Sequence, residues 1–232
     1  MASNNSTTGV MFNTDRMSSG SLKQFALELE STGVDTLWLP ELFGREPFAT
    51  AGFLLAETEH LTVATGIANV YARDAVAAAA AARTLAEVSS GRFILGLGVS
   101  NAGLAAARGH SWENPVDKLS SYVNEVRAAE ISVPGDQPLL LHVAAHGPKM
   151  LASLKGKVDG ISTFLQTPEH TKLTRGGLPQ GLALNVTCMC LLCDDPVEAR
   201  RLARRALGFY MGLDYYHRAW RKLGFSNNDF TE

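Results

Sequence analysis

Three cysteines, Cys188, Cys190 and Cys193, fall within six residues of one another, a density that would suit a thiolate metal centre. They lie on or just after an apolar run, Val186 to Leu192, that reads as a β-strand. Alternate side chains of a strand point to opposite faces, and no second ligand pair stands elsewhere in the chain. The expectation is therefore buried, reduced thiols and no metal site. Other groups able to do chemistry are sparse. Glu41 follows the run Leu37-Trp38-Leu39-Pro40, and His146 sits in the small-residue stretch Ala144-Ala145-His146-Gly147. A metal hydrolase would need several His and Asp ligands close to strand ends, and a Schiff-base enzyme a lysine inside the sheet; the sequence offers neither. What it does offer at strand ends is small residues and amides, which let a large planar cofactor approach the backbone closely.

The elements that must position these groups alternate between strand and helix. The expected strands are residues 9–12, 35–39, 61–66, 93–98, 139–143, 158–163 and 183–192. They are apolar almost throughout, as in a parallel sheet covered by helices. Helices are expected over 22–31, 47–58, from the cap Asp74 through the alanine run to Val88, from Pro115, from Pro148, over 196–207 and over 209–223. In the last of these, Phe209, Leu213, Tyr216, Trp220 and Leu223 form a core-facing stripe, while Tyr210, Tyr215 and His217 fall off it. The first βα turn, Asn13 to Ser18, has no glycine-rich phosphate loop, which argues against an open dinucleotide-binding sheet. The pattern predicts a parallel (β/α) TIM-type barrel forming a single domain over residues 1–232, with only seven strands and no eighth strand and helix. Seven strands leave two edges, so either the chain is a shortened form of a longer protein or something else covers the gap.

The 232 residues carry 21 Lys and Arg against 23 Asp and Glu, a balance that gives no basic stripe for nucleic acid. No apolar run reaches the ~18 residues of a membrane span. Met1 to Thr8 lacks the regions of a signal peptide, so the expected location is the cytoplasm.

In a TIM barrel the site is built by the loops that follow the strands. This selects Asn13, Glu41, Gly66, Ile67, Ala68, Asn69, Val99, Ser100, Asn101, Ala144, Ala145, His146, Gly147 and Phe164. Glu41 is expected to bond a cofactor ring, the alternatives being a pair with Arg45 or a helix cap. Pro148 suits the first position of a helix with Gly147 as its cap, so the amides of that turn are expected to bind an anion, with Lys149 or His146 adding charge. His142 reads as a satisfied core histidine; His60, His110 and His170 sit among polar residues expected to be loops.

The same residues carry a resemblance. Leu37-Trp38-Leu39-Pro40-Glu41 with Glu46-Pro47-Phe48, Thr65-Gly66-Ile67-Ala68-Asn69 before the alanine-rich helix, Ser90-Gly91-Arg92-Phe93-Ile94-Leu95-Gly96-Leu97-Gly98, and Ala144-Ala145-His146-Gly147-Pro148-Lys149-Met150 follow one another in the order found in luciferase-like flavin and deazaflavin oxidoreductases. The chain is most similar to their coenzyme F420-dependent branch. The resemblance implies hydride transfer between F420 and an organic substrate, with an FMN-dependent monooxygenase or a non-catalytic flavin-binding protein as alternatives. It implies a cofactor held by Glu41, Gly66, Ile67, Asn69, Val99, Ser100, Asn101 and Ala144 to Gly147, with Asn13, Leu42, Phe43 and Phe164 around the substrate. It also implies a cis peptide at Gly66-Ile67, bulging against one face of the ring, and a homodimer. Leu42 stands where F420 enzymes often have a histidine, and Asn101 where the sugar-phosphate dehydrogenases have a glutamate, so no proton donor is assigned.

Overall fold

The computed structural model describes residues 7–230. They divide into two compact units, one ending at Ile161 and the other beginning at Ser162. In the first, β1 (Gly9–Met11), α1 (Ser19–Ser31), β2 (Thr36–Leu39), α2 (Pro47–Glu57), β3 (Thr62–Thr65), β4 (Ala68–Asn69), α3 (Ala75–Val88), β5 (Phe93–Gly98), α4 (Ala102–Ala107), α5 (Pro115–Ala128), β6 (Leu140–Ala144) and α6 (Pro148–Ser153) follow in turn. β7 (Gly160–Phe164) leads into the second unit, which holds α7 (Pro168–Gly177), β8 (Ala183–Thr187), α8 (Pro196–Met211), α9 (Asp214–Arg221) and a 3₁₀ turn at Asn227–Phe230.

Every strand pair of the first unit is parallel: β1 with β2, β2 with β3, β3 and β4 with β5, and β5 with β6. The register sorts side chains cleanly. Leu37, Val63, Phe93, Leu95, Leu141 and Val143 share one face and are fully buried. Each such side chain contributes about 1.5–3 kcal/mol by leaving water. The other face carries Met11, Trp38, Ala64, Ile94 and His142. Two rings on that face need glycines opposite them. A Cβ on Gly9 would come within 2.8 Å of the Trp38 indole, and one on Gly160 within 2.6 Å of the His142 ring. Burial pushes the His142 pKa down to about 4, so the ring is neutral.

Helix starts obey local chemistry. Five helices, α2, α5, α6, α7 and α8, open on proline, whose missing N–H costs nothing at a first helical position. On α3, Asp74 accepts from the Ala77 N–H at 2.8 Å, and Ala75, Ala78, Ala79 and Ala82 are buried, which lets the helix lie close to the sheet.

Four expectations need correction in the second unit. β8 stops at Thr187 rather than running to residue 192, because its neighbour β7 ends at Phe164 and the last bond between them joins the Leu165 N–H to the Thr187 carbonyl. Without a strand to pair with, the next residues leave the sheet, so Cys188 and Cys190 are exposed and Cys193 half-buried instead of enclosed. His170 is not in a loop: it lies on α7, buried, with Nδ1 3.3 Å from the Thr174 hydroxyl. The expected helix 209–223 is broken at Gly212 and Leu213, which places Phe209 on α8 with 65 % exposure, while Tyr216 and Trp220 are buried as expected.

Candidate functional site

The C-terminal ends of β2 to β6 lie side by side, and a local irregularity shapes their rim. Ala64 pairs with Ile94 and Ala68 with Leu97, so four chain steps on one strand face three on the other. The extra residue is a β-bulge. It holds the cis Gly66–Ile67 peptide. Its ends are stitched to the β2 side: the Gly66 N–H donates to the Leu39 carbonyl at 2.7 Å and the Glu41 N–H to the Ile67 carbonyl at 3.3 Å. The Thr65 hydroxyl donates to the Gly96 carbonyl at 2.7 Å and accepts from the Gly96 N–H at 2.8 Å, replacing ladder bonds that the bulge removes.

The bulge fits only because glycines face it. A Cβ on Gly96 would lie 1.9 Å from the Thr65 carbonyl oxygen, and one on Gly98 would lie 2.7 Å from the Ile67 side chain and 3.4 Å from Ala144. Ile67 thus rests across Gly98 beside Ala144, making an apolar, small-residue surface over three strand ends. Val99 and Ser100 continue from that surface, with Ser100 in the left-handed region (φ 59°), and Asn101 caps α4 by accepting from the Leu104 N–H at 3.0 Å.

Glu41 behaves differently from the ring ligand expected of it. Its carboxylate is buried and accepts from the Asn69 N–H at 2.7 Å and from both terminal nitrogens of Arg73. Arg45, the partner considered from sequence, turns away to the Thr14 and Met17 carbonyls. Burial opposes the charge on Arg73, but the hydrogen bonds and attraction from Glu41 outweigh it and hold the guanidinium above its usual pKa. Tyr122 on α5 fixes the same turn, donating to the Arg73 and Asp74 carbonyls at 3.1 Å each. Arg108, just past α4, reaches back to the Leu42 carbonyl at 2.7 Å and packs on the Phe43 ring at 5.4 Å. Leu42 and Phe43 are consequently held on the rim while remaining exposed. Asn13 is exposed and caps its own turn, accepting from the Asp15 N–H at 2.9 Å.

Across the rim, β6 ends at Ala144, one residue past the expected Val143, and α6 starts at Pro148 as expected. Gly147 is the cap, no side chain bonds the first-turn amides, and a Cβ at Gly147 would meet nothing within 4 Å. Ala145 is buried and His146 half-buried. A helix start of this kind presents N–H groups and the positive end of peptide dipoles. Phe164 lies in the second unit, where its ring meets Tyr210 at 5.2 Å and Tyr216 at 6.4 Å.

The first unit therefore gathers Glu41, Gly66, Ile67, Asn69 and the residues around Gly98 through the contacts above. Arg73, Arg108 and the role of Tyr122 were missed by sequence reasoning. Arg73 had one available signal, a lone cation between the strand-three turn and the helix cap Asp74.

A profile of the luciferase-like monooxygenase family matches residues 4–230. The chain belongs to that family. A 5,10-methylenetetrahydromethanopterin reductase of Methanolobus tindarius is 29% identical over 159 residues, 60% of this chain and 48% of that protein. The reductase of the same name from Archaeoglobus fulgidus is 24% identical over 182 residues, 70% of this chain and 54% of that protein. The match thus spans about half the length of these relatives. Among solved structures, the coenzyme F420-dependent tetrahydromethanopterin reductase of Methanopyrus kandleri superposes with a TM-score of 0.67 at 15% identity, covering 88% of this chain and 72% of that one. The fold is accordingly the parallel (β/α) barrel of the TIM type. Among the described residues no helix is long and apolar enough to cross a membrane.

Proposed function

We propose that this chain binds coenzyme F420 over the ends of β2 to β6 and serves an oxidoreduction in which a hydride passes between the deazaflavin C5 and an organic substrate. The observation that carries the reading is the bulge at Gly66–Ile67, whose isoleucine crosses Gly98 beside Ala144 and makes a flat apolar seat for a ring. F420 supplies a two-electron hydride chemistry that no side chain of the site possesses. The chain's own residues hold, orient and exclude water. Gly66, Ile67, Val99 and Ser100 support one ring face. The first-turn amides of α6, with Ala144, Ala145, His146 and Gly147, receive the phosphate. Asn13, Leu42 and Phe43 border the substrate. Glu41 acts as a positioning residue, holding the Asn69 amide and Arg73 so that the turn after β4 keeps its shape.

The likeness to the coenzyme F420-dependent tetrahydromethanopterin reductase of Methanopyrus kandleri favours F420 over FMN, and an FMN-dependent monooxygenase is the second reading. Its support is the likeness to the FMN-bound oxygenating component of 3,6-diketocamphane monooxygenase from Pseudomonas putida, with a TM-score of 0.64 at 15% identity over 94% of this chain and 76% of that one. The proposal extends to a cytoplasmic homodimer, to be checked by sedimentation. Fluorescence titration separates the readings. Tight F420 binding with weak FMN binding is expected; the reverse order supports the monooxygenase. Binding of neither overturns both, and binding without hydride transfer to any acceptor leaves a carrier protein.

A further inference from the structure

The three cysteines take no part in the site above, and their surroundings give them a chemistry of their own. All three of the chain's cysteines lie between the end of β8 at Thr187 and the start of α8 at Pro196. The backbone there has no regular structure, and Cys188 and Cys190 are exposed while Cys193 is half-buried. The thiols lie along their own main chain rather than in a core: Cys190 Sγ is 3.8 Å from the Cys188 carbonyl oxygen and Cys193 Sγ 3.5 Å from that of Asp195. Between Cys190 and Cys193, Leu191 is 50% and Leu192 100% exposed, so the two intervening residues turn outward.

Geometry decides whether such thiols can join. A disulfide needs Cα atoms roughly 4.4–6.8 Å apart. Residues three apart on an extended strand are separated by about 10 Å, so a strand continuing to residue 193 would keep Cys190 and Cys193 apart. Because pairing ends at Thr187, no strand ladder holds the C-x-x-C segment at that spacing. Exposure also admits a small disulfide reagent, and exposed pairs are the labile, exchangeable ones. Two thiols separated by two residues suit thiol–disulfide exchange.

We propose that Cys190 and Cys193 form a redox-responsive dithiol that is closed by low-molecular-weight disulfides. The Cys190 thiolate attacks one sulfur of the disulfide, forming a mixed disulfide and expelling the other half as a thiolate. The Cys193 thiolate then attacks the Cys190 sulfur, forms the intramolecular S–S bond and expels the second half. Two protein thiols are oxidised and one disulfide is reduced to two thiols, which carry away both protons. Cys188 stays reduced, because a C-x-C ring with a single intervening residue is harder to close.

The test uses the full chain under native conditions and needs no cofactor. Glutathione disulfide is added, free thiols are trapped with N-ethylmaleimide, and the peptide holding all three cysteines is mapped by mass spectrometry. The expected product carries one trapped thiol, at Cys188, and a Cys190–Cys193 link that dithiothreitol reverses. C188S should still form the link, and C193S should stop at the glutathione adduct of Cys190. Three trapped thiols, a link through Cys188, or an adduct in the parent protein that never resolves would overturn the proposal. The parent map decides the matter even if a variant fails to fold.

Discussion

The two sides of the strand-end rim use their polar groups in opposite ways. On the β2–β3 side, Glu41, Asn69 and Arg73 are consumed by one another, the first two buried and Arg73 half-buried, so the carboxylate that looked most chemical in the sequence braces a turn. On the β6–α6 side, the helix starts at a glycine with no side-chain cap and open space around it. A charged residue at a strand end is thus not automatically a ligand: what matters is whether its partners are already inside the protein. The first side should govern stability, the second binding.

Removing the brace should have the largest effect. In E41A, half-buried Arg73 keeps only the exposed Glu46 carboxylate at 3.1 Å, and the Asn69 N–H loses its acceptor; the expected cost is about 3 kcal/mol in urea unfolding. A loss below ~1 kcal/mol, the range of exposed pairs, would erase the contrast between the two sides. His142, below the rim on the opposite sheet face from Leu141 and Val143, provides a pH comparison. Its folded pKa of about 4 lies under the ordinary 6.5 because burial favours the neutral ring. The unfolded chain therefore takes up the proton first as pH falls. This contribution is fully present above pH ~6.5, and about 2 kcal/mol of it disappears between pH 7 and 5. Unfolding titrations at the two pH values should show the loss in the parent, and H142Q should flatten it.

On the binding side, G147D should weaken F420 at least tenfold, about 1.4 kcal/mol, by setting a carboxylate where the phosphate is proposed to sit. Titration of the variant at unchanged affinity would move the phosphate elsewhere. The smallest effect sharpens the comparison most. Asp is a better helix cap than Gly, so the same G147D chain should unfold with a stability equal to the parent's or a few tenths of a kcal/mol higher. Binding and stability then move in opposite directions at Gly147, while at Glu41 stability falls first.

How much of this was legible follows the range of the interactions involved. Proline and its preceding residue announced the starts of α2, α5, α6 and α8, because capping is settled within four residues, while the same signal at Thr167-Pro168 went unread. Gly96 and Gly98 stood out in a strand, but their reason, the Thr65 carbonyl and the Ile67 side chain, comes from a segment some thirty positions away in sequence. Glu41 was read as a rim residue with Arg45 as one alternative partner, and Arg73 was missed, since Arg45 is near in sequence and Arg73 is near only in space. Cys188, Cys190 and Cys193 went wrong for a related reason: an apolar run fits a strand, yet a strand persists only beside a neighbour, and β7 ends too soon.

The sequence by itself determined the alternation of strands and helices, the apolar faces and the caps, all of which rest on local backbone preferences and the period of hydrophobic residues. Tertiary structure alone decided which polar groups were satisfied and which were left open, because hydrogen-bond partners are chosen by distance in space, and burial makes an unmatched group too costly to keep.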